Sequence, residues 1–336
     1  IGTLIKNCAK LYQSNNELYS KCDLTKIAKT NPNIMEDIKL ILSIYTSEND
    51  TLLNKLQSNV NEYNYLGNKI MPIWKLNELQ ETYKHKNLFD IADNIVYFFE
   101  NADTIFKTNY MPSREDLLKA RLRTTGLIST ILEIQHKTSG LTNIFEIWDA
   151  GGQRTERTKW VHQFQGVTAL LFVAALSHYN EVTFEDDKVN AMHESIDVFQ
   201  KTVNKKYFHK TQVILFLNKN DLFESSIKSG INLDVCFTKH KDWIPPKKQW
   251  NPKYNYNPNK YPNDLNKNNK YYQECYNRSI EFIKDIYVSQ NVFKNKIMYT
   301  HITCATDKDN VDNVFWDVQN NILKQNLITS GFYPQP

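Results

Sequence analysis

From residue 127 onward the chain repeats one pattern: a short apolar or alternating run, a polar turn, then a stretch with helical spacing. The runs fall at Ser129–Gln135, Asn143–Trp148, Ala169–Ala175, Gln212–Leu217 and Ile297–Thr303. Val189, Met192, Ile196, Phe199 and Val203 form one helical stripe, and Val311, Val314, Phe315, Val318, Ile322 and Leu323 form the last. Strands alternating with helices predict an α/β fold with a mostly parallel sheet. Sheets of this kind bind ligands just past the carboxyl ends of their strands. The polar turns at those ends are therefore where chemistry is expected.

The first 118 residues read differently. Ile34, Ile38 and Ile41 keep the helical period behind a Pro32-Asn33 start signal. Leu88, Ile91, Ala92, Ile95, Phe98, Phe99, Ala102 and Ile105 share one helical face and predict a helix over roughly 88–106. Alternating β-branched runs are scarce before residue 127. The expected organisation is an all-α domain over 1–118 followed by an α/β domain over 119–336.

Composition narrows the function classes. The 336 residues suffice for about two domains. The longest apolar run, near Val167–Leu176, is far short of the ~20 residues a membrane span needs, and no N-terminal signal pattern is present. The five cysteines are odd in number and lack metal-ligand spacing, which predicts reduced thiols in a cytosolic protein. The net charge of +4 does not describe a nucleic-acid-binding face, because Thr238–Lys270 alone holds eight Lys against two Asp. Trp243–Lys270, with five of the ten prolines, reads as an extended or disordered surface insertion at about 240–270. A tolerated loop and an aromatic, basic tract that binds RNA or a partner are the two readings of it.

Three short segments carry candidate chemistry. Asp149-Ala150-Gly151-Gly152-Gln153 follows the run Ile144–Trp148. A carboxylate there suits a Mg²⁺ ion, a glycine lets a backbone N–H approach a phosphate, and an amide orients a water; an ordinary strand-ending turn is the plainer reading. Asn218-Lys219-Asn220-Asp221 follows Val213–Leu217. Its carboxylate suits guanine, whose ring N–H and exocyclic amine form a donor pair that adenine lacks, and a site built on such partners rejects the wrong base strongly. Arg121 and Thr124, in Arg121-Leu122-Arg123-Thr124-Thr125-Gly126, add a cation for phosphate charge and a hydroxyl for the metal. A solvated basic helix end is the alternative for that segment.

With these segments in order, the chain resembles the α subunits of heterotrimeric G proteins from about Ile70 to Phe332. Asn109-Tyr110-Met111-Pro112, Asp149–Trp160, Met192-His193-Glu194-Ser195, Phe216–Phe223 and Thr303-Cys304-Ala305-Thr306 all stand at the family's spacing. The resemblance implies a Ras-like GTPase domain preceded by an all-α helical domain that closes over the nucleotide. It implies GTP/GDP and Mg²⁺ as ligands, with Thr124 and Asp149 on the metal. Arg121 becomes the arginine supplied in cis and Gln153 the residue that positions the attacking water. Gly152 senses the terminal phosphate, while Asn218, Lys219, Asp221 and the backbone of Ala305 meet the base. Leu118 and Lys119 join the nucleotide contacts. The implied partners are a βγ dimer, a G-protein-coupled receptor at the C-terminal tail, and an effector of unspecified kind; nucleic acid is not among them. Arg154–Phe164 becomes a partner-contacting switch helix, in which Trp160 serves either the core or an interface. The implied location is the cytoplasm, at the inner face of the plasma membrane.

One family element is not in this text. None of the nine glycines opens G-x-x-x-x-G-K-[ST], the loop that cradles phosphates. The first strand and the lipid-modified N-terminal helix are likewise missing, so the sheet is expected to carry two unpaired strand edges. The chain begins with Ile1, and the expectation is that the cradle lies upstream of it. The alternative is a divergent interaction module with little or no GTPase activity.

Overall fold

The computed structural model describes residues 1–46, 60–89, 91–120, 124–135, 142–158, 160, 164, 166–183, 186, 188–237 and 248–329. Arg121, residues 159 and 161–163 of the expected partner-contacting helix, and the tail beyond 329 lie outside the described residues. The chain forms two compact units that interleave along the sequence. One comprises 1–120, 175–197 and 218–286; the other comprises 121–174, 198–217 and 287–336.

The first unit opens with helices α1 (Gly2–Ser14), α2 (Thr25–Thr30), α3 (Pro32–Thr46), α4 (Val60–Trp74) and α5 (Asn77–Lys84). Pro32 occupies the first position of α3, where its missing N–H costs nothing, and the Asn31 side chain caps the helix by accepting from the Ile34 N–H at 3.2 Å. Their apolar faces close on one another around Leu4, Ile5, Ile38, Ile73, Leu79 and Phe99, all buried. Full burial of each such side chain is worth about 1.5–3 kcal/mol. Cys8 lies inside this core, and burial pushes its thiol up to about 12, so it is an inert packing group. All five cysteines are free.

The single helix expected over 88–106 is broken into α6 (Ile95–Glu100) and α7 (Ala102–Ile105), preceded by a turn. Asn94 and Asn101 occupy the two starts, outside helical geometry (ψ near 0–8°). The helix begins only after Asp93-Asn94, whose side chains are used elsewhere, as described below. Helix α8 (Arg114–Lys119) starts with a capping box: Ser113 accepts from the Asp116 N–H at 3.1 Å while Asp116 accepts from the Ser113 N–H at 2.7 Å.

The strands match their expected positions closely: β1 (Leu127–Gln135), β2 (Thr142–Ala150), β3 (Ala169–Ala175), β4 (Gln212–Asn218) and β5 (Met298–Ile302). They do not form one mostly parallel sheet. β1 and β2 pair antiparallel as a two-stranded ribbon, in register from Leu127↔Ala150 to Gln135↔Thr142. A short connection permits only antiparallel pairing. The other three strands form a second sheet in the order β3-β4-β5, with β4 and β5 parallel. Alternation along the ribbon turns Phe145 toward Phe315 of α14 (Lys308–Thr329), ring to ring at 6.4 Å. Its opposite face carries Ile131, Ile144 and Trp148, which are 65, 69 and 44% exposed.

Helix α9 (Arg154–Arg157) follows β2, α10 (Ala191–Val203) precedes β4, and α11 (Asn220–Lys228) follows it. After α12 (Asp234–Phe237), the stretch expected to be an extended or disordered insertion is instead packed over its described part, 248–264. Trp250 and Tyr256 are buried, and Trp250 donates to Asn255 Oδ1 at 2.7 Å. The stretch leads into the 25-residue α13 (Leu265–Ser289). The large apolar area of its aromatic rings outweighs its polar composition. Among the described residues, no helix is long and apolar enough to cross a membrane.

Candidate nucleotide site

The expected site residues fall into two groups, one in each unit. In the second unit, the Thr124 hydroxyl lies 3.4 Å from Asp149 Oδ2. The two segments that carry them are tied by backbone as well: the Gly151 N–H donates to the Gly126 carbonyl at 3.1 Å. Glu156, in the first turn of α9, accepts from the Gly126 N–H at 2.9 Å. Trp160 Nε1 donates to the Gly151 carbonyl at 3.0 Å and its ring lies 6.2 Å from Phe164. Trp160 is half-buried, so it braces the turn whatever else its exposed part does.

The two glycines of this turn have different reasons to be glycine. A Cβ on Gly151 would meet the Thr124 carbonyl at 2.7 Å and Glu156 Cγ at 2.8 Å, whereas one on Gly152 would meet nothing within 4 Å. Neither is recorded at positive φ. Packing accounts for Gly151 and leaves Gly152 facing open space. Gln153 precedes α9, and its carbonyl accepts from Glu156 and Arg157 N–H at 2.9 and 3.0 Å; the Gly152 carbonyl accepts from Arg157 Nε at 2.8 Å.

In the first unit the Asn218–Asp221 turn is held more tightly. Lys219 sits in the left-handed region (φ 59°, ψ 40°), the one non-glycine residue at positive φ among the described residues. Its ammonium donates to Asp93 Oδ2 at 2.5 Å, and Lys86 lies 3.8 Å from Asp93 Oδ1. Burial alone would raise the Asp93 carboxyl, but Lys219, and then Lys86, hold it below its ordinary value. The next residue, Asn94, donates to the Lys119 carbonyl. Asp93-Asn94 thus joins Lys219 to the end of α8, where Leu118 and Lys119 lie. Asp221 is exposed in the first turn of α11.

Parallel pairing brings β4 and β5 out at the same sheet edge, and the Thr303 N–H donates to the Leu217 carbonyl at 2.9 Å. Ala305 lies in the turn beyond, exposed. That turn is fixed by Asn310 Oδ1, which accepts from the Cys304 N–H at 2.9 Å. Arg121 lies outside the described residues. Asp93 and Asn94 are the residues the sequence reading missed; they fall on the polar face of the predicted helix, where nothing local singles them out.

Two other features bear on chemistry. Buried Cys236 Sγ lies 3.1 Å from His193 Nε2, but burial raises its thiol, so the pair is no nucleophile. Among the described residues no group of three or more His, Cys, Asp or Glu could hold a metal. A pair of hard oxygens such as Thr124 and Asp149 still fits Mg²⁺, which completes its shell with water and substrate phosphates.

Mixed helix-and-sheet chains with strand-end turns of this kind serve many functions, and sequence comparison specifies the class. The family profile described as G-protein alpha subunit matches residues 2–322. The chain belongs to the G-protein alpha subunit family. It is 37% identical over 267 residues to the guanine nucleotide-binding protein alpha-2 subunit of Caenorhabditis briggsae, covering 79% of this chain and 65% of the relative. The Caenorhabditis elegans protein of that name is 36% identical over 264 residues, covering 78% and 64%. The chain spans about two thirds of the length of these curated relatives.

Proposed function

We propose that this protein is a GTP/GDP switch that relays a signal from a G-protein-coupled receptor, engages a βγ dimer, and hydrolyses GTP slowly at the inner face of the plasma membrane. The division into a helical domain, 1–118, and a GTPase domain, 119–336, belongs to the same reading. The observation that carries it is the junction at the open end of the β1–β2 ribbon, where Thr124–Gly126 meets Asp149–Gly151 through one side-chain and one backbone contact.

In this reading Asp221 accepts from the ring N–H and exocyclic amine of guanine, and Ala305 offers its backbone N–H to the base. Lys219, its ammonium tied to Asp93, presents a fixed aliphatic stem to the ring, and Asn218 braces the turn. Leu118 and Lys119 border the nucleotide. Gly152 turns its N–H to the terminal phosphate across the open space where a Cβ would meet nothing, and Gln153 orients the attacking water. Arg121 supplies positive charge to the phosphate oxygens as charge develops on them. Held by the Thr124 hydroxyl and the Asp149 carboxylate, Mg²⁺ would neutralise phosphate charge.

Labelled GTP binding by the full-length protein tests the base-reading half. Asp221→Asn, which sets an amide donor against the guanine N–H pair, is expected to weaken binding at least ~100-fold; unchanged affinity removes the assignment. A second reading, an interaction module without turnover, draws on the exposed Ile131, Ile144 and Trp148 face. Equal βγ affinity in the presence of GDP and of a GTP analogue would favour that module.

A further inference from the structure

We propose that Tyr276 is a positioning residue for the base-reading turn, acting through Asn220 and backed by a ladder of tyrosines that reaches into the 248–264 stretch. The proposal rests on the guanine-site reading above. Its starting point is Lys219, held at φ 59°. A non-glycine residue in this region is strained, and it persists only where surrounding contacts over-determine it. Asp93 supplies one restraint, on the Lys219 side chain. The other falls on the next residue: the Tyr276 hydroxyl donates to Asn220 Oδ1 at 2.7 Å.

Packing fixes the direction of that hydroxyl. Tyr276 projects from α13 against Phe223 of α11, ring centroids 5.9 Å apart, and Phe223 in turn meets the buried Tyr179 at 5.5 Å. On its other side Tyr276 lies 5.9 Å from Tyr272, and Tyr272 lies 5.4 Å from Tyr256. Tyr256 is buried and clamped by its own backbone: its N–H donates to Asn232 Oδ1 at 2.7 Å and its carbonyl accepts from Asn232 Nδ2 at 2.9 Å. Asn232 lies just past the end of α11, the helix that the base-reading turn begins. The stretch is thus fastened to the far end of α11, and the ladder returns from it to the near end.

A tyrosine that only fills space would tolerate phenylalanine, whereas a positioning hydroxyl would not. Tyr276→Phe keeps the ring and removes one hydrogen bond of the kind worth about 0.5–1.5 kcal/mol, which corresponds to roughly a 2- to 10-fold effect. In nucleotide-free, full-length protein, amide exchange at Phe223, whose N–H donates to the Lys219 carbonyl at 3.1 Å, is expected to quicken by about that factor. Guanine-nucleotide release should accelerate by a similar factor. Asn220→Ala should give the same loss, and the double variant no more than either single one. Unchanged exchange in Tyr276→Phe, or additive effects in the double variant, overturns the proposal. Failure of the wild-type protein to bind guanine nucleotide would instead overturn the functional reading, and the exchange measurement would still decide the role of Tyr276.

Discussion

The Asn218–Asp221 turn and the Asp149–Gln153 turn follow the ends of two strands, yet they are built to different standards. Around Lys219 and Asn220 there is a 2.5 Å ion pair, a 2.7 Å hydrogen bond and a wall of packed aromatic rings. Around Asp149–Gln153, Trp160 and Arg157 hold the Gly151 and Gly152 carbonyls at 3.0 and 2.8 Å, but Thr124 and Asp149 meet only at 3.4 Å and Gly152 faces open space. Under the proposed function, the difference teaches how a switch divides its labour. A group common to GDP and GTP is best read by a prebuilt surface, because ordering that surface at each binding event would cost affinity. A group present in one of them alone is best read by a turn that the ligand itself completes, since a state-dependent response requires differential contacts.

The sharpest way to break this comparison is at the two adjacent glycines. Gly151→Ala forces a Cβ against the Thr124 carbonyl and is expected to lower stability by about 1–3 kcal/mol, read as a shift in the urea midpoint. Gly152→Ala should leave stability within about 0.5 kcal/mol while abolishing the difference between GDP- and GTP-bound states. Equal stability losses at both positions would mean that packing alone explains the pair.

Asp93 comes next in size. Asp93→Asn leaves Lys219 without its carboxylate, and charge-assisted bonds are worth about 1.5–3 kcal/mol. Partial solvent exposure of both groups (34 and 22%) moves the expected loss to about 1 kcal/mol, read as nucleotide release about 5-fold faster. The pH dependence has a definite sign. The folded carboxyl titrates below its ordinary 3.8, so its contribution is complete above that value and disappears as pH falls through the lower folded one. An acid titration of stability should therefore lose part of its slope in Asp93→Asn. The smallest effect belongs to Lys86→Ala. A half-exposed ammonium 3.8 Å from the carboxylate contributes less than about 0.5 kcal/mol, and nucleotide release should barely change.

Much of this was legible in the sequence. The strands announced themselves because each is a short contiguous apolar run ended by polar residues, as in Val213–Leu217 before Asn218. The Thr124–Asp149 meeting followed from motif order. What escaped was set by tertiary partners. Asp93 lies 126 residues from Lys219, and nothing local marks the pairing; its demand on Asp93-Asn94 also breaks the helix that the apolar stripe predicts. The 248–264 stretch looked unstructured because its Asn, Lys and Pro content hides Trp250 and Tyr256, whose burial depends on rings and on an Asn232 supplied from elsewhere. Sheet pairing escaped too, although the short connection between Gln135 and Thr142 already excludes a parallel β1–β2 neighbour.

The most direct test is amide exchange on full-length protein in three states: nucleotide-free, GDP-bound and bound to a non-hydrolysable GTP analogue. The account predicts that residues 218–222 gain equal protection from both nucleotides, while residues 149–157 gain at least ~10-fold more from the triphosphate than from GDP. Identical protection of 149–157 in the two nucleotide states would contradict it.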